Sequence, residues 1–196
     1  LTRRQCACLL AHSFFGTLRR PRGVQPNDWR FTVRDLFLGS AMSPNSAVTF
    51  LNYFSVLGQR GLLEEDDDEE EGENDNNDED GVLTFERRGY RRGAAPWAWE
   101  GNAKRLCRVE LLDGSIDDHT ADVHAEFANA FVGGGVMSGD AAMEETLFLV
   151  KPELMVAMAL QHRLVDEEVV AVSGALKYSS VGGPFGQNFK FVGEYD

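Results

Sequence analysis

Residues 126–149 read EFANAFVGGGVMSGDAAMEETLFL, and the two ends of this stretch decide how the whole chain is read. An apolar run, Phe127 to Val132, leads into Gly133-Gly134-Gly135. After seven intervening residues Met143-Glu144-Glu145 opens a segment, Leu147-Phe148-Leu149, whose pattern predicts a helix over Met143 to Leu149. Three consecutive glycines permit positive φ and close backbone approach. Loops of this kind turn N–H groups toward an anion, usually a phosphate, and a helix N-terminus nearby adds positive potential. Alone, the triplet is equally a plain turn. It is not a nucleotide-triphosphate loop, because no Gly-Lys-Ser/Thr follows it.

The glutamate pair adds chemistry. Neighbours on a helix diverge by about 100°. One carboxylate would face a ligand while the other holds it or fixes a sugar hydroxyl. A diphosphate in the glycine loop would raise a nearby carboxyl's pKa by like-charge repulsion, and the helix N-terminus would oppose that shift. A carboxyl kept protonated near neutral pH suits general acid work on a glycosidic oxygen. As an isolated pair, two glutamates here are also what the helix dipole favours.

Outward from this stretch the chain divides at an acidic run. Residues 64–80 hold 13 acidic residues, no basic one and no apolar one, which predicts a disordered loop that buries nothing. Its bland reading, a tolerated surface insertion, outweighs a contact with basic partners. Residues 1–63 form a predicted helical accessory region. Cys6, Leu9, Leu10, Ser13 and Phe14 fall near one helical face, and Arg19 to Gly23 break that helix. Ser43 and Pro44 look like the start of a further helix with Val48, Leu51, Phe54, Val56 and Leu57 as its stripe. From residue 81 the period changes. Strands are expected at Val82 to Glu86, Cys107 to Leu112, Glu168 to Ser173 (of the buried type) and Phe189 to Val192, with a proline-started helix over Pro152 to Leu160. Alternating strands and helices indicate an α/β layer region over 81–196. Arg87, Arg88, Arg91 and Arg92 read either as a phosphate-contacting patch or as a solvated turn.

Composition sets the outer bounds. The 196 residues are 43% hydrophobic, enough for a real core. The net charge of −13 is local, because outside the acidic run the chain balances at 19 basic and 19 acidic residues. That excludes a large basic face built for duplex DNA. No run of 18 apolar residues is present to span a membrane. Three cysteines, Cys6, Cys8 and Cys107, are odd in number and read as reduced packed thiols of a nuclear or cytoplasmic protein, with a zinc site as the minor alternative.

The combination of features is more specific than its parts. Gly133-Gly134-Gly135, seven residues and Met143-Glu144-Glu145 resemble the signature of the poly(ADP-ribose) glycohydrolase family, which has three glycines, six to eight residues and then Gln-Glu-Glu. Phe127-Ala128-Asn129 before Phe131-Val132-Gly133 resembles that family's Asp-Phe-Ala-Asn run. Phe148-Leu149 with Pro152-Glu153-Leu154, Leu9-Leu10-Ala11 with Phe14-Phe15, Val82 to Arg87 and Tyr178-Ser179 also have counterparts there. The resemblance implies a macrodomain-type α/β fold, a mixed sheet with flanking helices preceded by a helical accessory region. It implies hydrolysis of the ribose–ribose O-glycosidic bond of poly(ADP-ribose) on modified proteins, with no cofactor, no metal, no membrane partner and no direct duplex DNA binding.

Carried over by position, Glu145 would protonate the leaving ribose hydroxyl and then help water attack an oxocarbenium-like centre. Glu144 would hold ribose hydroxyls, and Glu126 stands where the family has Asp, completing the candidate catalytic carboxylates. Gly133, Gly134 and Gly135 would accommodate the diphosphate, Asn129 would contact the terminal ribose, and Ile116 and Asp117 would match an adenine-side contact. Met143 replaces the signature Gln and loses an amide, and Phe185 stands for a family Tyr and keeps a stacking surface without the hydroxyl. Family members continue past the position of Asp196, so an open cleft and an incomplete sheet edge are expected here. Three alternatives remain: a macrodomain reader that binds ADP-ribose without turnover, an interaction protein acting through residues 64–80, and a dinucleotide oxidoreductase. The last lacks the Gly-x-Gly-x-x-Gly spacing.

Overall fold

In a computed structural model of the chain, the described residues are 1–24, 29–33, 37, 44–61, 81–89, 108–114, 123–140, 142–183 and 189–195. The acidic run, Arg91, Arg92, Cys107, Ile116, Asp117 and Phe185 lie outside them. The described elements are helices α1 (Arg3–Phe14) and α2 (Pro44–Gln59), strand β1 (Thr84–Gly89), a 3-10 turn (Val136–Ser138) and α3 (Met143–Val150). A second 3-10 turn (Pro152–Val156), α4 (Ala157–Leu160), β2 (Glu168–Ser173), β3 (Ser179–Gly182) and β4 (Lys190–Glu194) complete the order.

Helix α1 begins with a reciprocal cap. Thr2 Oγ1 accepts the Gln5 N–H at 3.2 Å, and Gln5 Oε1 accepts the Thr2 N–H at 3.0 Å. Its buried face is Arg3, Cys6, Ala7, Leu10 and Ser13, with Leu9 and Phe14 at the margin. Cys6 is buried and its thiol is pushed up to about 11 by desolvation first and by the negative charge of Glu153 second. Cys8 is exposed on the other face.

Helix α2 starts at Pro44, as expected, but its face is rotated from the predicted stripe. Ser46, Thr49, Phe50, Tyr53, Val56 and Leu57 are buried, whereas Val48 and Leu51 are exposed. Small polar residues do the inward packing at its first turns. Thr49 Oγ1 bonds back to the Asn45 carbonyl at 2.7 Å, so its hydroxyl enters the core without an open donor.

The described strands form two antiparallel pairs, β1 with β2 and β3 with β4. In the first, Thr84 lies opposite Ser173 and Gly89 opposite Glu168. Arg87 donates to the His162 and Arg163 carbonyls at 2.9 and 3.0 Å and pairs with Glu168, while Arg88 pairs with Glu86. Half of the proposed phosphate patch is therefore engaged within this ribbon. The β2 strand is not of the buried type: its residues alternate half-buried and exposed, because only one face of a two-stranded ribbon meets the core. Residues 108–112 form no strand and are exposed, since they pair with no strand among the described residues. Over Pro152 to Leu160 a 3-10 turn precedes a single α turn in place of one helix.

One core draws on both halves of the chain. Cys6 and Leu10 of α1, Phe50, Tyr53 and Leu57 of α2, Leu83, Phe148, Leu149, Met155, Tyr178 and Phe189 pack together. Tyr53 and Tyr178 meet edge to face with ring centroids 4.7 Å apart. A buried ion pair ties α1 to the turn after α3. Arg3 Nη1 reaches both oxygens of Glu153 at 2.8 Å, and Glu153 also accepts from the Tyr178 hydroxyl at 2.7 Å and the Leu176 N–H at 3.0 Å.

Candidate active site

The site grows from the junction of an irregular loop and the N-terminus of α3. Residues 123–129 are exposed, and Phe127 is 97% exposed, so the run before the glycines is a surface segment and no strand. It enters the core at Gly133. There φ is +86°, and an added Cβ would lie 2.7 Å from the Met158 sulfur and 3.2 Å from a Phe148 ring carbon. Gly134 also takes a left-handed φ of +51°. Its open face is filled by the glutamates: a Cβ there would strike Glu145 Oε1 and come within 2.9 Å of Glu144 Oε2. Only a residue without a side chain fits this conformation in this space.

Both carboxylates turn back onto the loop. Glu144 Oε1 accepts the Gly133 N–H at 2.6 Å, and Oε2 accepts the Asn129 N–H at 2.9 Å. Glu145 Oε1 accepts the Gly135 N–H at 2.9 Å, and Oε2 accepts the Ala142 N–H at 3.1 Å. The last bond caps α3, whose first-turn N–H groups need an acceptor outside the helix. The dipole preference and the hold on the glycine loop thus coexist in the same side chains. Gly134 N–H goes to the Phe131 carbonyl at 3.0 Å. All three glycine N–H groups that the sequence reading offers to an anion are therefore engaged within the protein. The loop's first contribution is to hold the two carboxylates.

Electrostatics set the pair apart. Glu144 and Glu145 are each 7% exposed, and their hydrogen-bond partners among the described residues are backbone N–H groups. Burial raises the Glu144 pKa above the usual carboxylate range. The amides of Asn129 and Gly133 pull it down, and the charges of Glu145 and Glu126 push it up again. Glu126 acts on Glu144 only through its charge, because it is exposed and makes no hydrogen bond or ion pair among the described residues.

The remaining expected residues fall as follows. Asn129 lies beside the pair, but its Oδ1 accepts the Phe131 N–H at 3.1 Å and closes a local turn. Met143 is 56% exposed at the start of α3 and is directed away from the packed core. Arg30 was not singled out in the sequence. It stacks over Phe131 with its guanidinium carbon 4.1 Å from the ring centroid. Sequence spacing gives no clue to this contact, because the partners lie in different halves of the chain. No group of three metal-ligating side chains occurs among the described residues.

A fold of mixed helices and small sheets, with an acid pair against a glycine loop, defines a class of site. Comparison with known proteins gives that class its family. The family model for poly(ADP-ribose) glycohydrolase, macro domain fold, matches residues 97–196, about half of the chain. The chain belongs to this family.

Poly(ADP-ribose) glycohydrolase 1 of Arabidopsis thaliana is 34% identical over 119 residues, covering 59% of this chain and 21% of the relative. Poly(ADP-ribose) glycohydrolase 1 of Caenorhabditis elegans is 31% identical over 115 residues, covering 58% and 15%. A second protein of that organism, poly(ADP-ribose) glycohydrolase 2, is 39% identical over 76 residues, covering 38% and 16%. The matched stretches thus span about a fifth or less of these relatives.

Proposed function

We propose that this chain carries the acid pair of a poly(ADP-ribose) glycohydrolase and that its parent protein cleaves the ribose–ribose O-glycosidic bond of poly(ADP-ribose) on modified proteins, in the nucleus or cytoplasm. The observation that supports this most is the convergence of Glu144 and Glu145 over Gly134, at the positions matching the family signature. Each carboxylate oxygen accepts one backbone N–H and keeps a second lone pair. On Glu145 that free position carries the proton given to the departing ribose oxygen. The C1 centre left behind is oxocarbenium-like. Water adds to it while the Glu145 carboxylate takes the water's proton, so the acid is restored. The free positions on Glu144 accept ribose hydroxyls. Because the glycine N–H groups are engaged and the space beside each glycine is filled, the loop serves the reaction by holding the two carboxylates.

The test is release of ADP-ribose from the polymer by a chain extended to the length of its relatives. Replacing Glu145→Gln should lower the rate by about 10²–10⁴-fold, the usual contribution of a positioned general acid. A variant that keeps the wild-type rate overturns the assignment. A wild type that binds polymer and releases nothing makes the protein a reader.

A further inference from the structure

We propose that Arg30 is a substrate-binding residue of this site, holding the diphosphate of an ADP-ribose unit; the inference rests on the function proposed above. The charge balance of the site motivates it. Glu126, Glu144, Glu145 and Asp140 surround the loop, and Asp140 lies directly against Gly135. A diphosphate approaching such a site meets like charges and needs a cation in place.

Arg30 is that cation, and it is built in. Its neighbours in sequence are packed. Phe31 and Val33 are buried, and Trp29 meets Phe31 edge to face at 6.3 Å. Ser13 on α1 fastens this segment, accepting the Val33 N–H at 2.9 Å and donating to the Phe31 carbonyl at 3.2 Å. From this fixed backbone the Arg30 guanidinium lies over Phe131, whose own carbonyl accepts the Gly134 N–H. The ring contact seats the guanidinium carbon, and its N–H groups bond to no described residue. The Arg30 side chain makes no hydrogen bond or ion pair among the described residues, and the residue is exposed. A guanidinium held on the ring of Phe131, two residues before Gly133, with its donors open, suits two phosphate oxygens. It also gives the helical N-terminal region a direct part in the site.

The experiment compares wild type, Arg30→Gln and Arg30→Lys by calorimetry, with ADP-ribose and adenosine as the two probes. Loss of the guanidinium should weaken ADP-ribose binding by about tenfold or more, as for a charge-assisted contact, and leave adenosine binding unchanged. Lysine should recover part of the affinity, because it keeps the charge without the stacked fork. In turnover, Arg30→Gln should raise KM for polymer and hold kcat. An equal loss for both probes, or no loss for either, overturns the inference, and so does a wild type that does not bind ADP-ribose. The function reading is judged separately, by wild-type and Glu145→Gln turnover. If Arg30→Gln fails to fold, the Arg30→Lys ratio between the two probes decides.

Discussion

Glu153 and the pair Glu144–Glu145 stand on successive helical segments, and all three carboxylates are withdrawn from bulk water. Glu153 is neutralised there. Arg3 grips both of its oxygens, and a tyrosine hydroxyl and a backbone N–H add further donors. The pair above it has backbone N–H donors and no cation bonded to it among the described residues. Each Glu153 oxygen already has two donors and no position left for a ligand. Each oxygen of Glu144 and Glu145 has one donor among the described residues. The contrast separates an anchoring acid from the acids that the proposed function uses.

The contrast can be broken or sharpened in four ways, starting with the largest expected effect. Glu145→Gln should remove about 10²–10⁴-fold of turnover at a cost of about 1–3 kcal/mol in stability, since the amide keeps one acceptor and leaves one of the two N–H groups unbonded. Arg3→Ala should do the reverse and cost about 3–5 kcal/mol in a denaturant titration, because it strands Glu153 uncompensated in the core. If Arg3→Ala costs less than about 1 kcal/mol, the two kinds of acid are not distinct.

Gly134→Ala should fall between them. Its left-handed φ costs about 1–2 kcal/mol, and displacement of the carboxylates should lower turnover about tenfold or more. The smallest effect is in pH. Glu144 binds its proton more tightly in the fold than in the unfolded chain, so over the interval from the ordinary carboxylate value to its raised one the folded state holds more protons. Wild-type stability therefore falls as pH rises across that interval. Glu144→Gln should flatten that slope in urea titrations repeated at several pH values. A steeper slope in the variant would contradict the burial argument.

Much of the candidate site's geometry was legible because its signals are local. The glycine triplet, its spacing to Glu144 and Glu145, and the start of α3 at Met143 all follow from short-range sequence. What the N–H groups of the loop hold was not legible, because carboxylates and phosphates are interchangeable acceptors in a sequence argument. The α2 stripe was misplaced for a related reason. Ser46 and Thr49 look solvent-facing by type, yet Thr49 turns its hydroxyl onto its own helix and packs inward. The reading of 107–112 as a strand relied on its apolar character, but a strand exists only by pairing. Arg3 reads as a surface residue until Glu153, far along the chain, comes to meet it. Contacts of that separation, like Arg30 on Phe131, leave no spacing to find.

Tyr178 gives the acid pair a mechanical property. Its N–H bonds the carbonyl of Val150, the last residue of α3, at 2.9 Å, and its own carbonyl is held by Asn52 of α2 at 2.8 Å. The opposite end of α3 is tied to the loop through Glu144 and Glu145. An eight-residue helix restrained at both ends can neither slide nor turn about its axis. The exposed segment 123–129 has no such tie before Asn129 among the described residues, so any yielding of the candidate site to a ligand falls on that strip of backbone.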